Sequence, residues 1–231
     1  MNVVILQPSY IPWRGYFHQI QKADLFIFYD DVQYDKHGWR NRNRIKTTQG
    51  FQWLTIPVHS KGVLDQSIPI NQVRISWSTD WNEKHWRAIH QAYSKAPFFH
   101  HYAPLLEGFF QQKPEFLAEF TIETTISLAR QLGIEKTQFM RSSQIKVDGV
   151  KTDRLIQILK IVGATHYISG PSARDYIETE KFDMAGITLE YIDYSYPDYP
   201  QLYPPFDQNV SIVDLLLMVG PDALNYIASV R

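Results

Sequence analysis

Residues 1–33, MNVVILQPSYIPWRGYFHQIQKADLFIFYDDVQ, decide the fold class. The run 2–6 is apolar without polar alternation, which is typical of a strand buried in a parallel sheet. After a loop, apolar residues recur at helical spacing from Gly15 onward, and 25–31 is a second buried strand. Strand, loop, helix and strand in this order predict a right-handed βαβ unit and therefore a parallel sheet.

The remainder of the chain continues this α/β pattern. The segment around 80–132 differs, because it contains three successive helical patterns and no strand pattern. No Gly/Ser-rich linker divides the chain, so we expect one domain over 1–231 with a helical insertion around 80–132. Further strands are predicted at 51–58, 139–147 (a strand or an extended loop), 165–170 and 187–194.

Composition excludes several classes of protein. The chain has 23 Lys and Arg against 24 Asp and Glu, whereas domains that bind nucleic acid are usually basic, so nucleic acid is not the expected partner. Cysteine is absent, which excludes disulfides and thiolate metal sites and agrees with a cytoplasmic location. The first apolar run is too short for a signal peptide, and none approaches the length of a membrane span.

The loop QPSYIPWRGYF, 7–17, combines two prolines, a glycine, an arginine and four aromatic residues. Ligands of open α/β sheets lie beyond the carboxyl ends of strands, and helix N-termini suit phosphate. We therefore expect a ligand site here, although these residues could instead only pack a turn. In this site Arg14 would supply charge, and Gly15 would let the backbone approach the ligand. The candidate binding residues are Gln7, Pro8, Tyr10, Trp13, Arg14, Gly15 and Tyr16.

Two adjacent carboxylates, Asp30 and Asp31, end the second predicted strand. Either could hold Mg²⁺ beside a phosphate, act as a base or bind ribose hydroxyls. Because adjacent residues of a strand point to opposite faces, only one can face the site, and the other is then a solvated turn residue. Gln33, shortly after them, is a further candidate for binding substrate.

The segment HGWRNRNRIK, 37–46, is rich in basic residues at every second position. In an extended segment this spacing places the cations on one face, which favours a strip that binds phosphate or carboxylate. Trp39 and Asn43 are candidate binding residues within it, and Arg42 and Arg44 are candidate catalytic cations. A solvated basic loop is one alternative, and RNA binding with Trp39 as a stacking platform is another. The basic residues are Arg40, Arg42, Arg44 and Lys46.

A second candidate phosphate-binding segment is YISGPSARDYI, 167–177. A predicted strand leads into small and hydroxyl residues and then into an arginine early in a predicted helix, an order that suits phosphate at a helix N-terminus. Ser172 could equally be an ordinary helix cap. The candidate residues are Ser169, Gly170, Ser172 and Arg174.

Several catalytic signatures are absent from the chain, namely HExxH, Walker A, GxGxxG and GxSxG. Their absence argues against a metalloprotease, a P-loop NTPase, a standard dinucleotide enzyme and an α/β-hydrolase. No metal-ligating residues are predicted from histidine spacing.

Five motifs resemble the WbqC-like family in the same order along essentially the whole chain. They are QPSYIPWRGYF, FYDDVQYDKHGWRNRNRI, HWRAIHQAYSKAPFF, YISGPSARDYI and PDYPQLYPPFDQNVSIVDLL. Members of this family occur in bacterial polysaccharide (O-antigen) gene clusters. The resemblance implies a transferase role, including attachment of glycine or another aminoacyl group to a sugar.

The first loop also resembles the H-x-G-H region of nucleotidylyltransferases and pantothenate synthetase, which implies a HUP/Rossmann-like three-layer α/β fold. In this resemblance Gly15 matches the motif glycine, while Trp13 and Tyr16 stand where the two histidines should be. Those histidines stabilise charge on the transferring phosphates, and neither replacement carries positive charge. Nucleotide chemistry is therefore lost, or Arg14 and the 40–46 strip have taken over the cationic role.

The resemblance therefore implies a group-transfer enzyme of surface-polysaccharide or amino-sugar biosynthesis, which transfers glycine, another aminoacyl group or an acyl group and could activate a carboxylate with a nucleotide. ATP and Mg²⁺ are candidate cofactors, and an amino sugar or amino acid is the expected small-molecule substrate. The alternative is a non-catalytic protein that binds a sugar or nucleotide in an aromatic cleft, because the chain has 14 Tyr, 13 Phe and 6 Trp. The sequence also allows a homodimer.

Overall fold

A computed structural model describes residues 1–36, 38–59 and 67–227. The strands are β1 (Asn2–Leu6), β2 (Leu25–Phe28), β3 (Arg42–Thr47), β4 (Gly50–Thr55), β5 (Gln138–Arg141), β6 (His166–Ser169) and β7 (Thr188–Tyr191). The helices are α1 (Arg14–Lys22), α2 (Trp81–Tyr93), α3 (Phe99–Gln111), α4 (Leu117–Gln131), α5 (Lys151–Ile161), α6 (Thr179–Ala185) and α7 (Ile212–Val219).

Five strands form one parallel sheet in the order β5-β2-β1-β6-β7. The chain builds outward from β1 to β2 and β5 on one side, and later returns to add β6 and β7 on the other. This reversal next to β1 is a topological switch point of the doubly wound type. The predicted βαβ start and parallel sheet are confirmed.

Apolar side chains of β1 alternate between two cores. Val4 belongs to the cluster that contains Ile20 of α1, while Val3 and Ile5 belong to the cluster that contains Ile158 of α5. Because a strand sends successive side chains to opposite faces, the sheet is covered by helices on both sides. The result is the three-layer Rossmann-like α/β arrangement that the sequence predicted.

β3 and β4 form a separate antiparallel pair, with Arg44 opposite Trp53. The predicted strand 51–58 therefore ends at Thr55 and lies outside the parallel sheet. β3 was not predicted as a strand, because its buried residues are Asn43, Ile45 and Lys46, of which only Ile45 is apolar. Helices α2, α3 and α4 follow this pair within 81–131.

A Tyr/Pro-rich segment, 192–211, leads from β7 back to the start of α1. Its end joins the opening loop, because the Ile212 amide donates to the Pro12 carbonyl over 2.8 Å. α7 then runs through the core with every residue buried, and the Ser211 hydroxyl caps it by accepting from the Val213 amide. None of the helices in the described ranges combines the length and apolar content required to cross a bilayer.

Candidate functional site

A cleft of about 830 Å³ opens beyond the carboxyl end of β1. Residues that follow β1 (Gln7, Ser9 and Trp13) and residues that follow β6 (Ser172 and Tyr176) line it together. The cleft therefore lies at the switch point of the sheet, which is where open α/β sheets bind ligands. Six of the predicted site residues line it: Gln7, Trp13, Tyr16, Trp39, Asn43 and Ser172.

Asn43 holds the opening loop in place. Its side-chain amide donates to the carbonyls of Tyr10 and Ile11 over 3.0 and 2.9 Å. Ile11 has a φ of 34°, a conformation that β-branched residues rarely adopt, so the loop depends on such bonds. The Tyr10 ring does not reach the cleft, because it is fully buried with its hydroxyl 2.9 Å from Nδ1 of His85.

The indole of Trp13 covers the first turn of α1. A Cβ atom on Gly15 would come within 2.3 Å of Cζ2 of Trp13. The glycine was predicted to admit a ligand to the backbone, but in this structure the space above it is filled by the indole. Trp13 also packs edge-on against Tyr194 with ring centroids 4.9 Å apart, so these two rings form one wall of the cleft.

Arg40 supplies positive charge beside the carboxyl end of β1. Its guanidinium donates to the carbonyls of Gln7 and Pro8 over 3.2 and 3.4 Å and lies 3.3 Å from the Asp35 carboxylate. Burial lowers the pKa of Arg40, and Asp35 opposes that shift. Tyr16 donates to the same Gln7 carbonyl over 3.1 Å, which fixes the orientation of its ring. Pro8 contributes only its carbonyl to this arrangement and does not line the cleft.

Arg14 points away from the cleft, although it was predicted to bind ligand. Its guanidinium donates to the carbonyl of Pro197 over 2.8 Å and lies over the Tyr196 ring at 4.8 Å. Only 2% of Arg14 is exposed, and burial lowers its pKa. The side chain therefore anchors the 192–211 segment on α1 and does not present charge to a ligand.

Asp30 and Asp31 also lie outside the lining of the cleft. Asp30 is fully buried and accepts from the Ser142 hydroxyl and from the amide and hydroxyl of Ser143. Asp31 accepts from Ser142 and forms an ion pair with Arg154 over 2.5 Å. Their oxygens are thus engaged in a clamp between the ends of β2 and β5, and they do not fit a magnesium site.

Gln33, the third candidate in this part of the chain, is exposed and lies outside the lining. It forms an isolated β-bridge with Pro69.

The basic strip does not form one cationic face toward the cleft. Arg42 and Arg44 stack on the rings of Trp53 and Phe51, each at 4.7 Å from the ring centroid. Arg44 also pairs with the Asp207 carboxylate over 3.4 Å. Arg42 and Arg44 thus cover the aromatic residues of β4 instead of lining the cleft. Lys46 is buried and donates to the Pro205 carbonyl, and Arg40, which precedes the strand, is the member of the strip that lines the cleft.

The segment after β6 contributes less than predicted. Pro171–Asp175 is a short 3₁₀ helix and not the start of an α-helix, so the predicted helix N-terminus for phosphate is absent there. Ser172 lines the cleft, whereas Arg174 stacks on Tyr191 at 4.7 Å. Ser169 is buried, and a Cβ on Gly170 would meet the Tyr194 hydroxyl at 3.0 Å, so neither residue lines the cleft.

A model of the WbqC-like protein family matches residues 7–226. The chain belongs to the WbqC-like protein family. It is 42% identical over 232 residues to Uncharacterized protein Rv1507c of Mycobacterium tuberculosis, covering 100% of this chain and 99% of that protein. No solved structure matches. The resemblance seen in the five motifs is therefore confirmed.

Several residues that line the cleft of this WbqC-like chain were not predicted. Lys151 begins α5 with a φ of 50° and is exposed, and no motif marked it. Lys151 lies in the first turn of a helix that follows a strand, and this position could have identified it as a candidate ligand-binding residue. Tyr194 and Asn209 come from the 192–211 segment, whose return to the first loop is a long-range contact. The other unpredicted polar or aromatic lining residues are Ser9, Gln19, Tyr29, Tyr167 and Tyr176.

The lining of the WbqC-like cleft is aromatic and cationic. Among the described residues, it contains neither a carboxylate nor a histidine, and its charged groups are Arg40 and Lys151. The same part of the chain holds no cluster of three metal-ligating side chains. The arrangement suits a ligand with flat rings and an anionic group. The aromatic lining residues are Trp13, Tyr16, Tyr29, Trp39, Tyr167, Tyr176 and Tyr194.

Proposed function

We propose that this WbqC-like protein is a group-transfer enzyme of surface-polysaccharide or amino-sugar biosynthesis that binds a nucleotide or a nucleotide-linked substrate in the cleft. Membership of the WbqC-like family supports a biosynthetic role. The transfer of an acyl or aminoacyl group, and the use of a nucleotide to activate it, are our proposal.

One observation carries this proposal: the cleft lies at the switch point of a parallel sheet and is lined by aromatic rings and two cations. Doubly wound sheets bind nucleotides at this position. Rings such as Tyr29 and Tyr176 can stack on a base or on the flat face of a sugar. Lys151 is suited to a phosphate, since it is an exposed cation of the lining, and Arg40 is a second lining cation that is already paired with Asp35.

The lining residues also indicate what the protein would contribute to a transfer. A group transfer develops negative charge on the leaving group, which Arg40 and Lys151 can stabilise. Tyr16 and Asn43 are held by bonds to the opening loop, so the walls against which substrates are oriented are rigid. In the described lining no carboxylate or imidazole is placed to accept the proton of an attacking amine.

Calorimetric titration tests the proposal. ATP, a nucleoside diphosphate and a nucleotide-linked amino sugar are titrated with and without Mg²⁺. We expect binding of at least one of them, and a loss of affinity of about tenfold in Lys151→Met, because a cation that meets phosphate is removed. Lys160→Met removes an exposed lysine from the same helix and should leave affinity unchanged. If none of these compounds binds, the proposed function is wrong.

A second candidate is a non-catalytic protein that binds a sugar or a nucleotide. The absence of carboxylates and histidines from the described lining favours it. Mass spectrometry of the nucleotide and an amino-sugar acceptor after incubation with the protein distinguishes the two. Tight binding without any new covalent product would favour the non-catalytic role.

A further inference from the structure

Three exposed aromatic rings form a continuous strip beside the cleft, here named the aromatic ladder: Trp39, Trp53 and Phe51. Their exposed fractions are 45%, 40% and 51%. The ring centroids of Trp39 and Trp53 are 5.4 Å apart, and those of Trp53 and Phe51 are 6.3 Å apart. Eight large apolar side chains of the described ranges are exposed, and three of them meet in this one patch. Such a concentration marks an interaction surface more often than scattered exposure does.

The aromatic ladder is continuous with the cleft. Trp39 is at once a lining residue of the cleft and a ring in contact with Trp53. From there the ladder follows one face of β4, on which Trp53 and Phe51 are two residues apart. A molecule bound in the cleft and extending past Trp39 would therefore run onto the ladder.

Two arginines next to the aromatic ladder already have carboxylate partners within the protein. Arg40 pairs with Asp35 over 3.3 Å, and Arg44 pairs with Asp207 over 3.4 Å. Lys46 is buried, with only 3% of the residue exposed, and its ammonium donates to the Pro205 carbonyl. Single-stranded nucleic acid needs both stacking rings and a positively charged groove, so it fits this surface poorly.

The rings of the aromatic ladder are also held in position before any ligand arrives. The Arg42 guanidinium lies over Trp53 and that of Arg44 over Phe51, each at 4.7 Å, which is cation–π geometry. Rigid rings lose little conformational entropy when they bind a partner. A rigid, exposed aromatic surface is suited to the flat apolar faces of successive pyranose rings, whose hydroxyls remain in water.

We propose that the aromatic ladder is a docking surface for a glycan chain whose terminal sugar enters the cleft at Trp39. This inference rests on the proposed function and deepens it, because it makes the acceptor of the transfer an oligosaccharide instead of a free monosaccharide. The cleft binds the reacting end, and Trp53 and Phe51 bind sugar units further from it.

The test is a binding measurement on the full chain against an array of bacterial surface-polysaccharide fragments, with oligouridylate RNA on the same array. We expect at least one glycan to bind. Trp53→Ala should lower its affinity about tenfold, as is common when a central aromatic contact is truncated, and Trp53→Phe should retain most of it. Met184→Ala, an exposed apolar residue elsewhere that is 80% exposed, is the matched control and should change nothing.

Three results would overturn the inference: no glycan binds, glycan affinity is the same in Trp53→Ala, or RNA is the ligand lost in Trp53→Ala. Light scattering adds a fourth, a dimer of the unchanged chain that Trp53→Ala dissociates, which would assign the ladder to self-association. Nucleotide titration into Trp53→Ala separates this inference from the proposed function. Nucleotide binding without glycan binding contradicts the ladder alone, and glycan binding through Trp53 without nucleotide binding contradicts the proposed function alone.

Discussion

Gly15 lies directly beneath the indole of Trp13, so the wall of the cleft depends on the absence of a side chain at residue 15. The sequence led us to expect that this glycine admits a ligand to the backbone, but the group that lies against it is the protein's own ring. Sequence alone could not distinguish a ligand from an indole, because both need the same close approach to the backbone. Arg14 illustrates the same limit, since its partners Pro197 and Tyr196 are distant in the sequence.

Gly15→Ala should displace the indole and weaken ligand binding. The added Cβ would lie 2.3 Å from Cζ2 of Trp13, a distance that cannot persist, so the ring must move out of its contact with Tyr194. We expect a loss of about 1–3 kcal/mol in the free energy of unfolding, typical of overpacking, with a changed near-ultraviolet circular dichroism spectrum. Chemical denaturation and ligand titration measure the two effects.

Gly108→Ala is the matched control for this substitution. Gly108 lies inside α3, and a Cβ there would have nothing within 4 Å. The change should leave ligand affinity unaltered and stabilise the protein by up to about 1 kcal/mol, since alanine favours a helix over glycine. Equal behaviour of the two alanine variants would show that the indole does not need the space above Gly15.

At the scale of the element, Ser142 joins the ends of two neighbouring strands. Its hydroxyl is fully buried and lies 3.2 Å from Oδ1 of Asp30 and 2.5 Å from Oδ1 of Asp31. β2 and β5 are adjacent in the sheet, so this cluster closes their carboxyl ends. The position of the carboxylates at the end of β2 was predicted correctly. Their partners could not be predicted, because local sequence patterns do not determine which strands are neighbours in the sheet.

Ser142→Ala should destabilise the fold without weakening ligand binding. The substitution leaves buried carboxylate oxygens short of a donor, which costs about 1–3 kcal/mol. Ligand affinity in the cleft should stay within error, because neither carboxylate lines it. Ser78→Ala removes an exposed hydroxyl and is the control for both measurements. A loss of ligand affinity or turnover in free-energy terms larger than the loss of stability would contradict this prediction. It would indicate that Asp30 and Asp31 take part in ligand binding or catalysis.

The elements differed in how well their patterns predicted them. β1 and β2 are buried on both faces and read as apolar runs, so their strand character and parallel pairing followed directly. Trp53 and Phe51 cover one face of β3, so arginines can occupy positions on that face. A segment with so many charged residues has the sequence pattern of a loop. The 192–211 segment has no periodic pattern, and its contribution of Tyr194 to the cleft comes only from tertiary contacts.

At the scale of the whole molecule, His85 connects parts of the chain that are distant in sequence. Its ring lies between Tyr10 of the opening loop and the Thr55 carbonyl at the end of β4, while α2 carries it. A ring that donates to the Thr55 carbonyl from one nitrogen can accept from the Tyr10 hydroxyl at the other, which is the neutral form of the ring. Burial lowers the pKa of His85 to about 4, and the Thr55 bond opposes that shift.

This lowered pKa predicts that acid destabilises the protein well above the range in which ordinary carboxylates titrate. The unfolded chain takes up the proton near pH 6.5 and the folded chain only near pH 4, so the stabilisation is complete above 6.5 and is lost as the pH falls toward 4. The loss is about 3 kcal/mol for His85. Denaturation midpoints across this window should therefore fall, and should fall less in His85→Gln, whose amide can still bond to Tyr10 without titrating. His100→Gln changes an exposed histidine and should keep the full pH dependence. If the denaturation midpoint of His85→Gln falls with pH as steeply as that of the unchanged protein, the effect does not come from His85.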